Sequence, residues 1–366
     1  MTERGAARAA YRHLFSALAE PARLLDLREA DWDALLPLAR SMRLWSRLAA
    51  SARSEGLLER LSPRIARQME AALRFAAHRQ QKILWELHHL ERALRDVPGP
   101  VLALKGTGYV MGGLAAGRGR IFNDVDLLVP RSGLAEVESV LKAGGWRSES
   151  LDDYDEHYYR EWMHEIPPMR HPDRQIEADI HHTISPLTSR IKVDADPLFE
   201  AAIEVPGHRF KILAPADMVL HSAIHLFYGG EFEHGLRDLS DLDWLMREFA
   251  GRDPEFWTKL ASRAEALDLG RPLCYALRHG QRWLNTPVPA AILGRAIRLG
   301  PAWPALKAMD VLLAAALMPD HPAAPRGFSA RARGVLWMRS HWLKMPPRLL
   351  IPHLIRKAGK GKKPHA

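Results

Sequence analysis

Residues 101–129 read VLALKGTGYVMGGLAAGRGRIFNDVDLLV. An apolar run, Val101 to Leu104, ends in Lys105-Gly106-Thr107. A glycine-rich segment follows, and a second apolar run then carries Asp124 and Asp126. In a strand, residues i and i+2 point to one side, with alpha carbons roughly 6–7 Å apart. Asp124 and Asp126 therefore share a side, and Val125, Leu127 and Val129 face the other, where a core takes them. Two adjacent carboxylates repel each other, so folding alone gives little reason to pair them. A divalent cation such as Mg²⁺, which prefers hard oxygen ligands, removes that cost. The competing reading is a pair of solvated aspartates at a strand end, because a lone Asp-x-Asp is a common pattern. Lys105-Gly106-Thr107 weighs against it. A strand running into Gly-Thr brings backbone N–H groups and a hydroxyl close to a phosphate, since glycine lets the backbone approach. Carboxylates for Mg²⁺ beside a small-residue turn for phosphates are the equipment of phosphoryl or nucleotidyl transfer.

The stretch resembles the nucleotidyltransferase superfamily of DNA polymerase β: an apolar strand, Gly-Gly or Gly-Ser, a short helix, then two aspartates flanking an apolar residue. It is more closely similar to a bacterial branch of uncharacterised nucleotidyltransferases. The residues that carry this likeness are Leu104-Lys105-Gly106, Arg120 and Asp124-Val125-Asp126-Leu127-Leu128-Val129. Thr107 stands where the superfamily has Gly or Ser, and sixteen residues separate it from Asp124. The resemblance implies an α+β fold, with a small mixed polymerase β-like sheet as nucleotidyltransferase core and helical regions on both sides.

The 366 residues give room for two or three domains and a sizeable core. Apolar residues make up 47% and charged residues 26%, which is ordinary for a globular chain. Cys274 is the single cysteine, so an intrachain disulfide framework and a Cys-rich metal site are excluded, and a reducing cytoplasm is expected. The start, MTERGAARAAYRHLF, lacks the unbroken apolar stretch of a secretory signal. No run of about eighteen apolar residues appears, so no spanning helix is expected. The net charge of +9 is unevenly placed. Residues 326–366 hold eleven Lys or Arg and no Asp or Glu, which leaves −2 over residues 1–325.

Residues 1–97 read as an N-terminal helical region, with apolar residues at threes and fours, Asp31 or Asp33 near one helix start, and Ser62-Pro63 opening another. Pro98-Gly99-Pro100 breaks that pattern. Residues 98–210 form the expected core. Within it Ser132 is placed to cap a helix that Gly144-Gly145 stops, and the Asp152, Asp153, Asp155, Glu156 cluster reads as a solvated loop. A hairpin is expected from about His164 to Met169, through a turn at His171–Arg174, and back from Gln175 to His182. In its second strand Ile176, Ala178 and Ile180 fall on one side, and Glu177, Asp179 and His181 on the other. A polar face of this kind is common on any half-exposed sheet. The resemblance, however, implies a third carboxylate on a later strand, and Asp179-Ile180-His181 matches the branch's spacing of carboxylate, apolar residue and histidine.

Residues 211–325 read as a C-terminal helical domain. His221 and His225 sit four apart on one helix face. No Glu follows the first histidine, so the metalloprotease motif is absent. The branch carries a histidine-bearing helix here, followed by an Arg-x-x-x-Asp-Leu stretch that matches Arg237-Asp238-Leu239-Ser240-Asp241-Leu242. The resemblance makes His181, His221, His225, Arg237 and Asp238 candidate substrate contacts, with the two helices as a lid. The basic segment 326–366 mixes Trp337, Trp342, Leu349, Leu350 and Ile351 with its cations. It suits an anionic membrane surface, a nucleic acid, or a plain basic helix with a frayed tail.

What the resemblance implies mechanistically is a transfer of a nucleoside monophosphate from an NTP to a hydroxyl or phosphate acceptor. Asp124, Asp126 and Asp179 would be catalytic and bind two Mg²⁺ ions, or Mn²⁺ in their place. Paired ions of this kind stabilise the entering and leaving oxygens of an in-line displacement. Gly106 and Thr107 would hold the β- and γ-phosphates, and Lys105 and Arg120 would neutralise the departing pyrophosphate. The acceptor stays open between a small molecule, tRNA and protein. Two alternatives stand beside this reading: a toxin-like or regulatory nucleotidyltransferase that modifies tRNA or protein, and a nucleotide-binding scaffold that has lost catalysis. The protein is expected in the cytoplasm, with the basic segment as its link to the inner membrane surface if it works there.

Overall fold

The computed structural model describes residues 3–148, 152–320 and 327–359. Four helices come first: α1 (Glu3–Ala19), α2 (Glu29–Ser41), α3 (Trp45–Ser54) and α4 (Pro63–Ala93). Asp31 secures the start of α2, accepting the Arg28 backbone N–H at 3.1 Å, which satisfies a donor the helix cannot use. Pro63 opens α4 at the position where a missing N–H costs nothing. Ser62 precedes it but makes no side-chain cap bond. Along α4 the buried Ile65, Met69, Leu73, Ala76, Ile83, Leu87 and Leu90 recur at helical spacing and form one apolar stripe.

The Pro98-Gly99-Pro100 break is followed by β1 (Leu102–Ala103), α5 (Lys105–Met111), β2 (Asp124–Leu128), α6 (Leu134–Ala143), β3 (Arg147–Ser148), α7 (Asp153–His157), β4 (Met169–Arg170), β5 (Glu177–His181), α8 (Asp196–Glu200), β6 (Ile203–Glu204) and β7 (Lys211–Ile212). These strands form one seven-stranded sheet in the order β3-β4-β5-β2-β1-β7-β6. The β2–β5 and β1–β7 pairs are parallel and the others antiparallel, so the sheet is mixed and the fold is α+β. The β4–β5 hairpin forms where the alternating pattern places it, with Met169 opposite Ala178. Its first strand is shorter than expected because Pro167 and Pro168 remove ladder donors.

Three local expectations are corrected. The sheet runs on to Ile212, past residue 210, because β7 pairs with β1. Ser132 lies in a 3₁₀ turn and Gly133 occupies the cap position of α6, with no side-chain cap bond. The backbone at 153–157 is helical where a loop was expected.

After the sheet come α9 (Pro215–Gly229), α10 (Gly235–Arg252), α11 (Phe256–Ala266), α12 (Gly270–Leu284), α13 (Ala290–Leu299), α14 (Trp303–Leu317), α15 (Phe328–Lys344) and α16 (Pro347–Gly359). Apolar on nearly every face, α9 is the buried centre of this half and is packed by α10, α11, α12 and α15. One hydrophobic core runs without a break from Ala10 to Leu336. Among the described residues no helix is long and apolar enough to cross a membrane.

The basic segment does not hang free over its described part. The Leu343 and Lys344 carbonyls accept from the Arg190 N–H at 2.9 Å and the Thr188 hydroxyl at 2.7 Å. Arg339 donates to the Phe227 carbonyl at 3.0 Å and lies over the Tyr228 ring. Over Phe328–Lys344 the segment is the basic helix α15, whose buried face closes onto α9. Residue 326 and residues 360–366 lie outside the described residues.

Candidate active site

The site begins with the pairing of β2 and β5. Their parallel register sets Asp124 against Glu177, Asp126 against Asp179 and Leu128 against His181. Partners in register project from the same face, so four carboxylates and an imidazole are gathered there. Val125, Leu127, Ala178 and Ile180 are fully buried on the opposite face and fix that register.

Lys105 enters from β1. The Leu104 N–H donates to the Asp126 carbonyl at 2.9 Å, and the chain then turns at Lys105, whose φ is positive, at 45°.

 A positive φ is uncommon outside glycine and costs about 1 kcal/mol or more, so the surrounding packing must hold it in place. It aims the Lys105 ammonium back at β2, where Nζ lies 2.7 Å from Asp126 Oδ1. Gly108 then has to be glycine, because a Cβ there would sit 2.6 Å from the Ala103 carbonyl oxygen.

His181 completes the centre. Its Nε2 is 3.1 Å from Asp126 Oδ1, and its Nδ1 is 3.2 Å from Glu165 Oε2. The backbone explains the second contact: Glu165 bridges His181 in antiparallel fashion, with the Ile166 N–H on the Ile180 carbonyl at 3.0 Å. His164, next to Glu165, stacks on the His181 ring with centroids 5.2 Å apart.

These contacts divide the carboxylates by charge state. Burial opposes the charge of Asp126, but the Lys105 ammonium and the His181 hydrogen bond outweigh it and hold the carboxyl below the usual range. Asp179 has no such partner, and its Oδ1 is buried without a hydrogen bond. Burial, then the charges of Asp126, Glu165 and Asp124, push its pKa well above the ordinary value. Asp124 moves the same way through burial and the Asp126 charge, with Lys105 and Arg120 partly offsetting them.

Lys105 and His181 also form part of the wall of a cavity of about 410 Å³. His221 and His225 of α9 reach it, and α15 contributes Trp337, His341 and Lys344. Burial and the Lys105 charge keep His221 well below the ordinary imidazole range. For His225 the Lys105 charge comes first, then burial, and the pKa falls to about 3. Both imidazoles are therefore neutral at pH 7.

Other expected site residues are placed differently. Thr107 is buried and donates its hydroxyl to the Asp124 carbonyl at 3.4 Å. Arg120 is buried against α10, its Nε 3.0 Å from Asp241 Oδ2. It acts on the site through its field, lowering the pKa of Asp124. Arg47, fully buried, shares Asp241 with it. Arg237 pairs with its neighbour Asp238 at 2.7 Å, and Asp238 is 3.9 Å from Arg120. Arg237 and Asp238 thus belong to the support behind the site and do not line the cavity.

Sequence reasoning missed His164 and Glu165 as site residues, and missed α15 as a wall. The signal for the first pair was present in the hairpin pattern, which set His164 and Glu165 opposite the end of β5. No local pattern signals α15, which follows β5 by well over a hundred residues.

The model of the uncharacterised nucleotidyltransferase family matches residues 28–285. No curated protein and no solved structure matches the chain. The matched span includes β1, α5, β2, β5 and both helices behind the site, which together hold every residue of the carboxylate centre. By that match the chain belongs to the uncharacterised nucleotidyltransferase family and is an enzyme of nucleotidyl transfer.

Proposed function

We propose that the protein moves a nucleoside monophosphate from an NTP to an acceptor hydroxyl on a polymerase β-like core, using Asp124, Asp126 and Asp179. The observation that carries this reading is the register of β2 and β5, which puts Asp126 opposite Asp179 with one buried Asp179 oxygen unpartnered. An orphaned buried oxygen beside two more carboxylates is costly, and a hard divalent cation is the ligand that removes the cost. The donor set, three carboxylates on one face of the sheet, fits Mg²⁺, with Mn²⁺ as its substitute. When bound, the ions would neutralise phosphate charge and polarise the reacting oxygens.

The chain's own residues have separate tasks. Asp179 accepts the proton that the acceptor hydroxyl loses as its oxygen bonds to the α-phosphorus and pyrophosphate leaves. A raised pKa suits a base that must hold that proton. Lys105, turned toward the carboxylates by its positive φ, meets the triphosphate and balances the pyrophosphate charge. The backbone at Gly106 lets the phosphates approach, and Arg120 supplies its charge from behind. Neutral His221 and His225 offer hydrogen bonds without adding charge, and α15 closes the acceptor side of the cavity through Trp337 and His341.

The test is a calorimetric titration with each of the four NTPs, with and without Mg²⁺, on the wild-type chain and on the Asp124→Asn/Asp126→Asn double variant. Metal-dependent binding of an NTP that the double variant loses is the expected result. If no NTP binds the wild-type protein under any of these conditions, the reading falls.

A further inference from the structure

Among the described residues, His164, Glu165 and His181 are the group of three His, Cys, Asp or Glu side chains whose ligand atoms all lie within 4.8 Å of one another. They come from two backbone segments that the sheet ladder fixes. The His182 N–H donates to the His164 carbonyl at 2.9 Å, and Glu165 bridges His181. The site is thus held by main chain and not by mobile side chains alone.

Its dimensions suit a metal. A tetrahedral ion with bonds of about 2.0–2.1 Å places neighbouring ligand atoms roughly 3.3 Å apart. Glu165 Oε2 and His181 Nδ1 are 3.2 Å apart. His164 Nδ1 is buried with no hydrogen-bond partner, so the ring has an unspent polar atom beside the pair.

The outer contact is also of the right kind. Metal-binding histidines almost always pass their second nitrogen to a carboxylate, which fixes the ring and strengthens the ligand. Here His181 Nε2 meets Asp126 at 3.1 Å, leaving Nδ1 on the Glu165 side. Two nitrogens and one carboxylate favour a borderline first-row ion over Mg²⁺, which takes oxygen and keeps its waters.

We propose that His164, Glu165 and His181 form a second metal centre, separate from the three aspartates, that binds a first-row divalent transition ion such as Zn²⁺. The ion pins the 164–166 segment to the end of β5 and sets the orientation of His181 against Asp126. The two centres are joined through that one contact.

The full-length chain, stripped with a chelator, is titrated with Co²⁺ and then with Zn²⁺ in millimolar Mg²⁺. One transition ion per chain is expected to bind despite the Mg²⁺, with the visible absorption of a four- or five-coordinate nitrogen-ligated Co²⁺ site. His164→Ala and Glu165→Gln should each weaken Zn²⁺ binding about 10- to 100-fold, whereas Asp124→Asn should leave it unchanged. Melting curves check that each variant is folded, and if either is not, the wild-type Co²⁺ spectrum decides. Failure to retain an ion in Mg²⁺, a purely octahedral oxygen-type spectrum, or loss in Asp124→Asn but not in His164→Ala would overturn the proposal. None of these outcomes depends on NTP binding, so the nucleotidyl-transfer reading stands or falls separately.

Discussion

Asp126 and Asp179 face each other in register across the parallel strands β2 and β5, yet Asp126 is held by Lys105 and His181 while Asp179 Oδ1 has no partner. One carboxylate is therefore stabilised as the anion, and the other is poised to take a proton. The asymmetry follows from which neighbour each carboxylate meets: the end of β1 delivers Lys105 to Asp126, and among the described residues no cation pairs with Asp179.

Asp179→Asn should abolish transfer, lowering the rate at least about 10³-fold, since it removes a base and a charge that acts in the transition state. The metal-free protein should at the same time keep or gain stability, because an amide relieves the repulsion with Asp126 and Asp124. Thermal melts with and without Mg²⁺ check this. A variant that melts lower without metal would contradict the repulsion argument.

Lys105→Met should cost about 3–5 kcal/mol in metal-free unfolding free energy, because it strands a buried carboxylate at Asp126. The loss should shrink when Asp126→Asn is added. A urea-denaturation double-mutant cycle measures that coupling directly.

Behind the site, Asp241→Ala leaves the buried Arg47 and Arg120 guanidiniums without their shared counter-charge. The expected cost is again at least about 3–5 kcal/mol. Denaturant midpoints report it, and a loss below 1 kcal/mol would show that solvent reaches these cations.

His279 is buried with neither ring nitrogen bonded, and burial lowers its pKa to about 4. The folded chain resists protonation, while the unfolded chain takes the proton near pH 6.5. Its destabilising effect is therefore absent above pH 6.5 and grows as pH falls from 6.5 to 4, reaching roughly 3 kcal/mol. His279→Phe should flatten that part of the stability-against-pH curve and raise stability at pH 5. Denaturation series at pH 7, 6, 5 and 4 provide the check.

Gly230→Ala should loosen α15. Gly230 has φ +89°, and a Cβ there would lie 2.2 Å from Ser340 Oγ. A loss of about 1–3 kcal/mol is expected, with faster hydrogen exchange in α15 than in the β2–β5 ladder.

Some of this was legible in the order of residues. Val125, Leu127 and Val129 alternate with Asp124 and Asp126, and Ile176, Ala178 and Ile180 alternate with Glu177, Asp179 and His181. Both polar faces could be read because strand periodicity is a local property. The helical spacing of α4 and the Pro63 start were legible for the same reason. Ser132 was misread because capping depends on where the preceding 3₁₀ turn leaves the backbone, which neighbouring packing decides.

The sequence by itself determined which residues carry charge, which faces are apolar, and that a Lys-Gly turn precedes two aspartates on a strand. Only the tertiary structure decided that β2 and β5 are parallel neighbours, that Arg120 and Thr107 spend their polar groups on the scaffold, and that α15 walls the cavity. Those outcomes depend on contacts between residues far apart in the chain. Their energies come from burial and from pairing of buried charge, and neither leaves a periodic trace in the local sequence.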